Sequence, residues 1–466
     1  MYKKGRNFLG VLVAIMVLLF GPGLLWGQER WGQEGTSTEK PAEKKEAPPE
    51  KPVEPSGYFP GIPSSTPYGT LELGPTSGAL APYGNPSAYD NLQRGWRSRR
   101  VGKVTLTPYL ETDGLYRSNI YLTPNNKKSD FIFVLTPGLR ADLPIAGKNR
   151  FSVGYLGTGY IYTSNGANSH YDQNINTDLE LMSKGGLHFR FGNTLRLATE
   201  ERNSEFSTFR RYVRDTPYAN VSYAFADRWK AEINYQFDTL NFVKNIDKVN
   251  NYNAQAIGTT LYYRFLPKTS ALVQYVFTYR EFPDASFDNT TNHSPLVGLT
   301  WEPTAKLSGT MKYGYTFDHY LTSVEGRNNS ASGFTMSINL LYRYSRATNL
   351  TLTAQRAFQQ DVDFRNEGYY NTGVWVALNH EWRFFHVSSY ASFYFINSNY
   401  LNATFDPQGQ FLKRLDNTVG CGVGLARPVT KWLRARVDYA YSNRASNFYG
   451  YSYNENRVLV GLQTSF

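Results

Sequence analysis

Serine, histidine and carboxylate come first, because a cluster of them would make a hydrolase. His170, His293 and His319 stand in or beside long polar stretches, with Ser169 and Asp318 as immediate neighbours. Adjacent residues of an extended chain point to opposite sides, so neither Ser169 with His170 nor Asp318 with His319 forms a catalytic pair through sequence proximity. No Gly-x-Ser-x-Gly occurs, and His188 and His386 fall in alternating stretches near short turns, away from the other three. The chain is therefore read as not an enzyme. Phe287-Asp288-Asn289 offers oxygen ligands without the spacing of a calcium loop, so no metal or cofactor is expected. Cys421 is the only cysteine, which excludes an intrachain disulfide. With Val419, Val423 and Leu425 at the same parity, it reads as a small apolar wall residue.

The ionisable residues that do recur with a period suggest a wetted surface rather than a reaction centre. Asn174, Asn176, Asp178 and Glu180 alternate along one stretch, Arg190 and Arg196 share the face opposite them, and Lys230, Glu232, Asn234 and Gln236 repeat the pattern. Lys306 and Lys312 are assigned to the same face. Arg and Lys opposite Asp and Glu would set a transverse field that passes polar solutes, and the basic excess would favour anions.

Those residues require strands. From Val104 onward the chain alternates apolar and polar residues in segments of roughly ten or more, the pattern of strands with one greasy face. The separators come in two kinds by turns. Short ones are Lys184-Gly185-Gly186, Ala226-Asp227-Arg228, Leu266 to Ser270, Pro303-Thr304-Ala305, Ser345 to Thr348 and Arg427 to Lys431, with Leu143 to Lys148 and Asn379-His380-Glu381 as further members. Long polar ones lie between them, among them Asp113 to Ser129, Thr163 to His170, Glu281 to Asn292, Asn397 to Arg414 and Ser442 to Asn454. Closing the Lys184-Gly185-Gly186 turn sets Leu181 opposite Phe189, Leu179 opposite Phe191, Ile175 opposite Leu195 and Glu180 opposite Arg190. Closing Ala226-Asp227-Arg228 pairs Phe225 with Trp229 and Val221 with Ile233. Around Thr304 the same operation sets Trp301 opposite Leu307 and Glu302 opposite Lys306. The count comes to about eighteen strands, in an antiparallel transmembrane β-barrel. Aromatic side chains beside the short turns would form a girdle at one interface.

Composition agrees. The 466 residues include 36 Tyr, 29 Phe and 8 Trp, yet the mean hydropathy is −0.48. That disfavours a helical membrane protein and fits strands whose apolar face is hidden from window averages. The formal charge of +11 could suit nucleic acid or anionic lipid. No nucleic-acid motif accompanies it, and no nucleic-acid partner is expected.

The chain ends on an alternating stretch in which Val458, Val460, Leu462 and Phe466 share one face, while Arg457, Leu459, Gly461, Gln463 and Ser465 share the other. This ending resembles the C-terminal signal of bacterial outer-membrane barrels, which implies the barrel assembly machinery as a partner; Thr464 departs from that pattern. At the other end, Lys3, Lys4 and Arg6 precede an apolar run from Phe8 to Phe20 and small residues to about Gly27, the layout of a secretory signal peptide over residues 1–27. Residues 28–56 are rich in Glu, Lys and Pro and read as a disordered linker. Residues 57–103 read as irregular periplasmic structure, either a tether or a plug of the barrel, with Trp96 and Arg97 to Arg100 just before the first strand.

Val104-Thr-Leu-Thr-Pro-Tyr-Leu-Glu-Thr-Asp113, then Tyr116 to Tyr121, then Ser129 to Leu139 resemble the opening of the putative β-barrel porin family of type 2. Across residues 104–466 the resemblance implies a barrel in the outer membrane of a Gram-negative bacterium, some members being linked with exopolysaccharide export. Lipid, lipopolysaccharide and polysaccharide-export components are the partners it implies. The expected function is a porin for small polar solutes or an aid to polysaccharide export. The alternatives are a surface-display or adhesive barrel and, least favoured, a rim-active enzyme.

Overall fold

A computed structural model describes residues 99–200, 209–304, 306–323, 330–359 and 368–464. The leader, the linker, residues 57–98 and Phe466 lie outside the described residues.

The described chain opens with β1 (Arg99–Val101), β2 (Val104–Arg117), β3 (Asp130–Pro144), β4 (Arg150–Tyr162), β5 (His170–Met182), β6 (Leu187–Glu200) and β7 (Arg210–Phe225). It continues with β8 (Trp229–Phe242), β9 (Tyr252–Leu266), β10 (Thr269–Glu281), β11 (Thr290–Thr304), β12 (Leu307–Tyr320) and β13 (Ser330–Arg343). The last six are β14 (Thr348–Gln359), β15 (Tyr369–Trp382), β16 (Val387–Phe405), β17 (Phe411–Pro428), β18 (Leu433–Ser446) and β19 (Tyr453–Thr464). From β2 each strand pairs antiparallel with the next, and β19 returns to β2, from Arg457 opposite Arg117 to Thr464 opposite Leu110. The result is a closed 18-stranded barrel. Closure leaves no long row of unpaired backbone groups, the condition a sheet must meet in lipid. Where β19 stops, β1 folds back and pairs Arg99 with Leu106 and Val101 with Val104, so the same edge of β2 stays covered to its start.

Alternation sorts the side chains on most of the ring. Phe131, Phe133 and Leu135 of β3, Ile233 of β8, Val273 of β10, Val423 of β17 and Val460 of β19 point outward and are exposed. Their neighbours Asp130, Thr136, Asn234, Gln274 and Gln463 point inward and are buried. A cylinder with apolar side chains outside and polar ones inside is the inverse of a water-soluble fold, and its outer face suits hydrocarbon. Cys421 belongs to the outward set with Val419, Val423 and Leu425. Trp229, Phe265, Tyr344, Trp382, Phe384 and Trp432 cluster, exposed, at or beside the short turns.

The hairpin registers expected for β5–β6 and β7–β8 are the observed ones: Leu181 with Phe189, Glu180 with Arg190, Phe225 with Trp229, Val221 with Ile233. Three expectations need correction. Asn379-His380-Glu381 is not a turn; within β15 Asn379 and His380 pair on both sides and Glu381 pairs with Ser388, and the turn is 383–386, with His386 at φ 52. Asn379 and Glu381 are polar because they point inward, and that looks the same as turn chemistry in a sequence. At Thr304 the register shifts, so Trp301 faces Gly309 and Thr304 faces Leu307 across a tighter connection than expected. Lys306 consequently sits exposed in that turn, its carbonyl accepting the Arg343 N–H at 2.6 Å, instead of on the inner face. Asn397 to Arg414 is mostly strand, since β16 and β17 extend to Phe405 and from Phe411.

Candidate solute pathway

The inner face is built from pairs of opposite charge two residues apart. Such residues project from the same side of one strand, and the arrangement recurs: Arg140 with Asp142 at 2.9 Å, Lys230 with Glu232 at 3.0 Å, Arg414 with Asp416 at 2.6 Å and Arg457 with Glu455 at 2.6 Å. Neighbouring strands then extend each pair into a network. Glu455, fully buried, accepts from Arg117 Nε at 2.7 Å on one oxygen and from Arg457 on the other. Asp416 accepts from Arg414 and Arg444, each at 2.6 Å, while the Arg414 guanidinium lies 4.5 Å from the ring centre of Tyr400 and 4.4 Å from that of Tyr451. Arg436 of β18 crosses β19 to reach Glu111 and, at 2.9 Å, Asp113 on β2. It crosses over Gly461, where an added Cβ would collide with the Asp113 carboxylate and press on Arg436. The closing strand is thus crossed by ion pairs as well as by its own backbone bonds.

The residues singled out in the sequence fall on this face with one exception. Asp178 accepts from Arg190 at 2.7 Å and from the Tyr218 hydroxyl at 2.6 Å. Glu180 holds Arg150 at 2.6 Å and His188 at 3.0 Å. Glu232 takes Lys230 and the Asn220 amide, and Lys312 donates to Gln274 at 3.0 Å. Arg196 is exposed and makes no ion pair among the described residues. Lys306 is the exception, being in the turn. Sequence reasoning missed the networks on Glu455, Asp416 and Arg436, as well as the bidentate pair Arg214 with Asp238 at 2.8 and 2.6 Å. The two-residue spacing of opposite charges was the available signal for the first three.

The loop after β2 adds an apolar piece. Ile120 is buried in a cluster with Leu115, Ile132, Val134 and Leu459, all inward-facing, so the loop lies against the inner wall at residues 119–122, while residues 125–129 are exposed. Asn119 fastens it: its amide donates to the carbonyls of Thr123 at 2.8 Å and Asn454 at 3.1 Å, and its oxygen accepts the Thr123 N–H. The tight curl puts Leu122 at φ 51.

Two of the histidines singled out in the sequence have defined partners. His170 Nδ1 contacts the Asn168 carbonyl at 2.8 Å and its ring stacks on Tyr160, while Ser169 Oγ accepts the Tyr162 N–H. His293 meets the Tyr275 hydroxyl on the outer face.

The family model described as Putative beta-barrel porin 2 matches residues 98–466. Among solved structures, the outer membrane protein OpdK from Pseudomonas aeruginosa is 10% identical, covering 78% of this chain and 99% of that one, with a TM-score of 0.41. OccK2 (OpdF) from the same organism is 11% identical over 78% and 98%, with a TM-score of 0.44. OccAB3 from Acinetobacter baumannii is 10% identical over 78% and 100%, with a TM-score of 0.43. No curated protein matches the chain.

Proposed function

The chain belongs to the Putative beta-barrel porin 2 family, and from that premise we propose that it is a diffusion channel of a Gram-negative outer membrane, passing small polar solutes. The observation that carries this reading is the alternation of the closed ring: exposed apolar side chains outside on most strands, ionic networks inside. A ring of about eighteen strands is too wide for side chains to fill, so water occupies the interior and the charged groups meet passing solute. The rim of short turns, to which both β1 and the end of β19 belong, faces the periplasm, and the long loops face outside.

Purified protein in planar bilayers should give stepwise ion conductance with modest anion preference. Absence of conductance from correctly folded protein, judged by heat-modifiable migration, would reject the channel and favour a barrel that only displays its loops.

A further inference from the structure

One sector of the inner wall differs from the rest. Along β13 to β16, as far as Tyr400, the inward positions among the described residues carry no charge except Arg343 and Glu381 at the short-turn ends; toward the long loops Arg356, at the other parity, places its guanidinium 4.7 Å from the ring centre of Tyr370, which lies over the inward-facing Gly333. Trp375 and Tyr394 face each other directly across the β15–β16 pairing. Trp375 reclines over Gly373, Tyr394 over Gly420 and Tyr390 over Gly424; a Cβ at any of the three glycines would collide with the ring above it, and at Gly424 also with the carboxylate of Asp438, which lies beside Tyr390 where the neutral wall meets β18. Rings laid along a wall turn their faces, not their edges, to the interior, and all three remain half-buried. Nearer the long loops Tyr400 stacks on Tyr369, centroids 4.7 Å apart. At about 3.3 Å per residue, Tyr390, Tyr394 and Tyr400 mark a line of roughly 33 Å along the strand.

We propose that Trp375, Tyr394 and Tyr390 form a binding track for neutral oligosaccharides. This rests on the channel reading and deepens it by naming a solute class. A pyranose ring has an apolar C–H face, which lies on an aromatic face, and a rim of hydroxyls, which needs uncharged donors and acceptors. Asn379, Ser392 and Ser398 supply those on the same face. An ionised solute would find its partners on the charged sector instead, and a purely apolar one would leave the amides and hydroxyls unpaired.

Maltohexaose is the probe, used in two arms with the full chain. In planar bilayers it should interrupt the ion current in a concentration-dependent way. In micelles of a sugar-free detergent it should bind by titration calorimetry whether or not the protein conducts. Trp375→Ala with Tyr394→Ala should weaken binding roughly tenfold, whereas Trp375→Phe with Tyr394→Phe, which keep the rings, should retain it. A conducting protein that neither binds nor is blocked by maltohexaose overturns the track and leaves the channel standing. A non-conducting protein that binds refutes the channel alone. Should the alanine pair lower stability while binding is unchanged, the rings merely seal the wall over their glycines and the track is refuted. Block by benzoate equal to that by maltohexaose, lost in the same variants, also overturns it in favour of aromatic acids.

Discussion

Two sectors of one barrel, made by the same alternation, hold themselves together differently. Where β17 to β19 meet β2, the inner face is ionic: Glu455 between Arg117 and Arg457, Arg436 among Glu111, Asp113 and Asp438, Asp416 under Arg414 and Arg444. Along β13 to β16 it is neutral between the two ends of the strands, with aromatic rings over glycines and amides between them. The first sector includes the join at which the last strand must find the first. Ions that pair across that join penalise a wrong register, because a slip of one residue would turn every charge toward lipid. The second sector lies between consecutive hairpins, where short turns already set the register, and its side chains are free to be chosen for what passes.

The largest effect should therefore come from unpairing an ion at the join. Glu455→Ala leaves Arg117 and Arg457 buried beside each other without a carboxylate, a change that costs about 3–5 kcal/mol when a buried pair is broken on one side. Ser392→Ala, in the neutral sector, should stay within about 0.5 kcal/mol. Urea titration of the refolded barrel in detergent, followed by tryptophan fluorescence, compares them. Equal midpoints would erase the distinction between the sectors.

Much of this was legible in the sequence and some was not. Strand parity and the registers around Lys184-Gly185-Gly186 and Ala226-Asp227-Arg228 could be read, because a turn fixes pairing locally. The outward set Val458, Val460 and Leu462 could be read from the two-residue alternation alone. The reach of Arg436 over Gly461 to Asp113 could not, since it joins residues more than three hundred apart and depends on how the ring closes. Nor could the inward fold of the loop bearing Ile120, which looked like the other polar separators. Around Thr304 the parity argument failed because the register shifts there, and parity carries no memory across a shift.

The next effect concerns ion selectivity, which the charged sector should set unevenly. Arg190 is held by Asp178 and its charge is locally cancelled, whereas Arg196, exposed and without an ion pair among the described residues, acts over a longer range. Arg196→Glu should lower the anion-to-cation permeability ratio by roughly two- to threefold. Arg190→Gln should change it much less, though it leaves Asp178 short of a partner. Reversal potentials under a salt gradient decide it, and a larger shift from Arg190→Gln would mean that pairing does not screen.

A smaller effect is expected where the loop after β2 narrows the ionic side of the interior. Ile120→Asp places a carboxylate among Leu115, Ile132 and Leu459, a burial that an isolated charge does not tolerate. The loop should detach from the wall and single-channel conductance should rise by roughly tens of per cent, with Glu455 and its arginines untouched. Unchanged conductance would place the narrowest section elsewhere.

The smallest effect is the one that tests the correction at Thr304. Lys306 and Lys312 look alike in the sequence, six residues apart and thus at the same parity. The register shift belongs to the connection before β12, and it leaves Lys306 exposed in the turn while Lys312 stays on the inner face, donating to Gln274. A charge at the rim is surrounded by bulk water and counterions and is screened over about 8–10 Å, while one inside a low-dielectric cylinder acts on every ion that passes. Lys312→Gln should therefore shift the reversal potential by a few millivolts, roughly, and Lys306→Gln by nothing measurable. Lys312 stands on β12, beside the neutral sector and not within the track, so its loss should leave maltohexaose binding unchanged while moving ion preference. If Lys306→Gln instead shifted selectivity as much as Lys312→Gln, the turn residue would have to face the interior after all, and the pairing of Thr304 with Leu307 would be wrong.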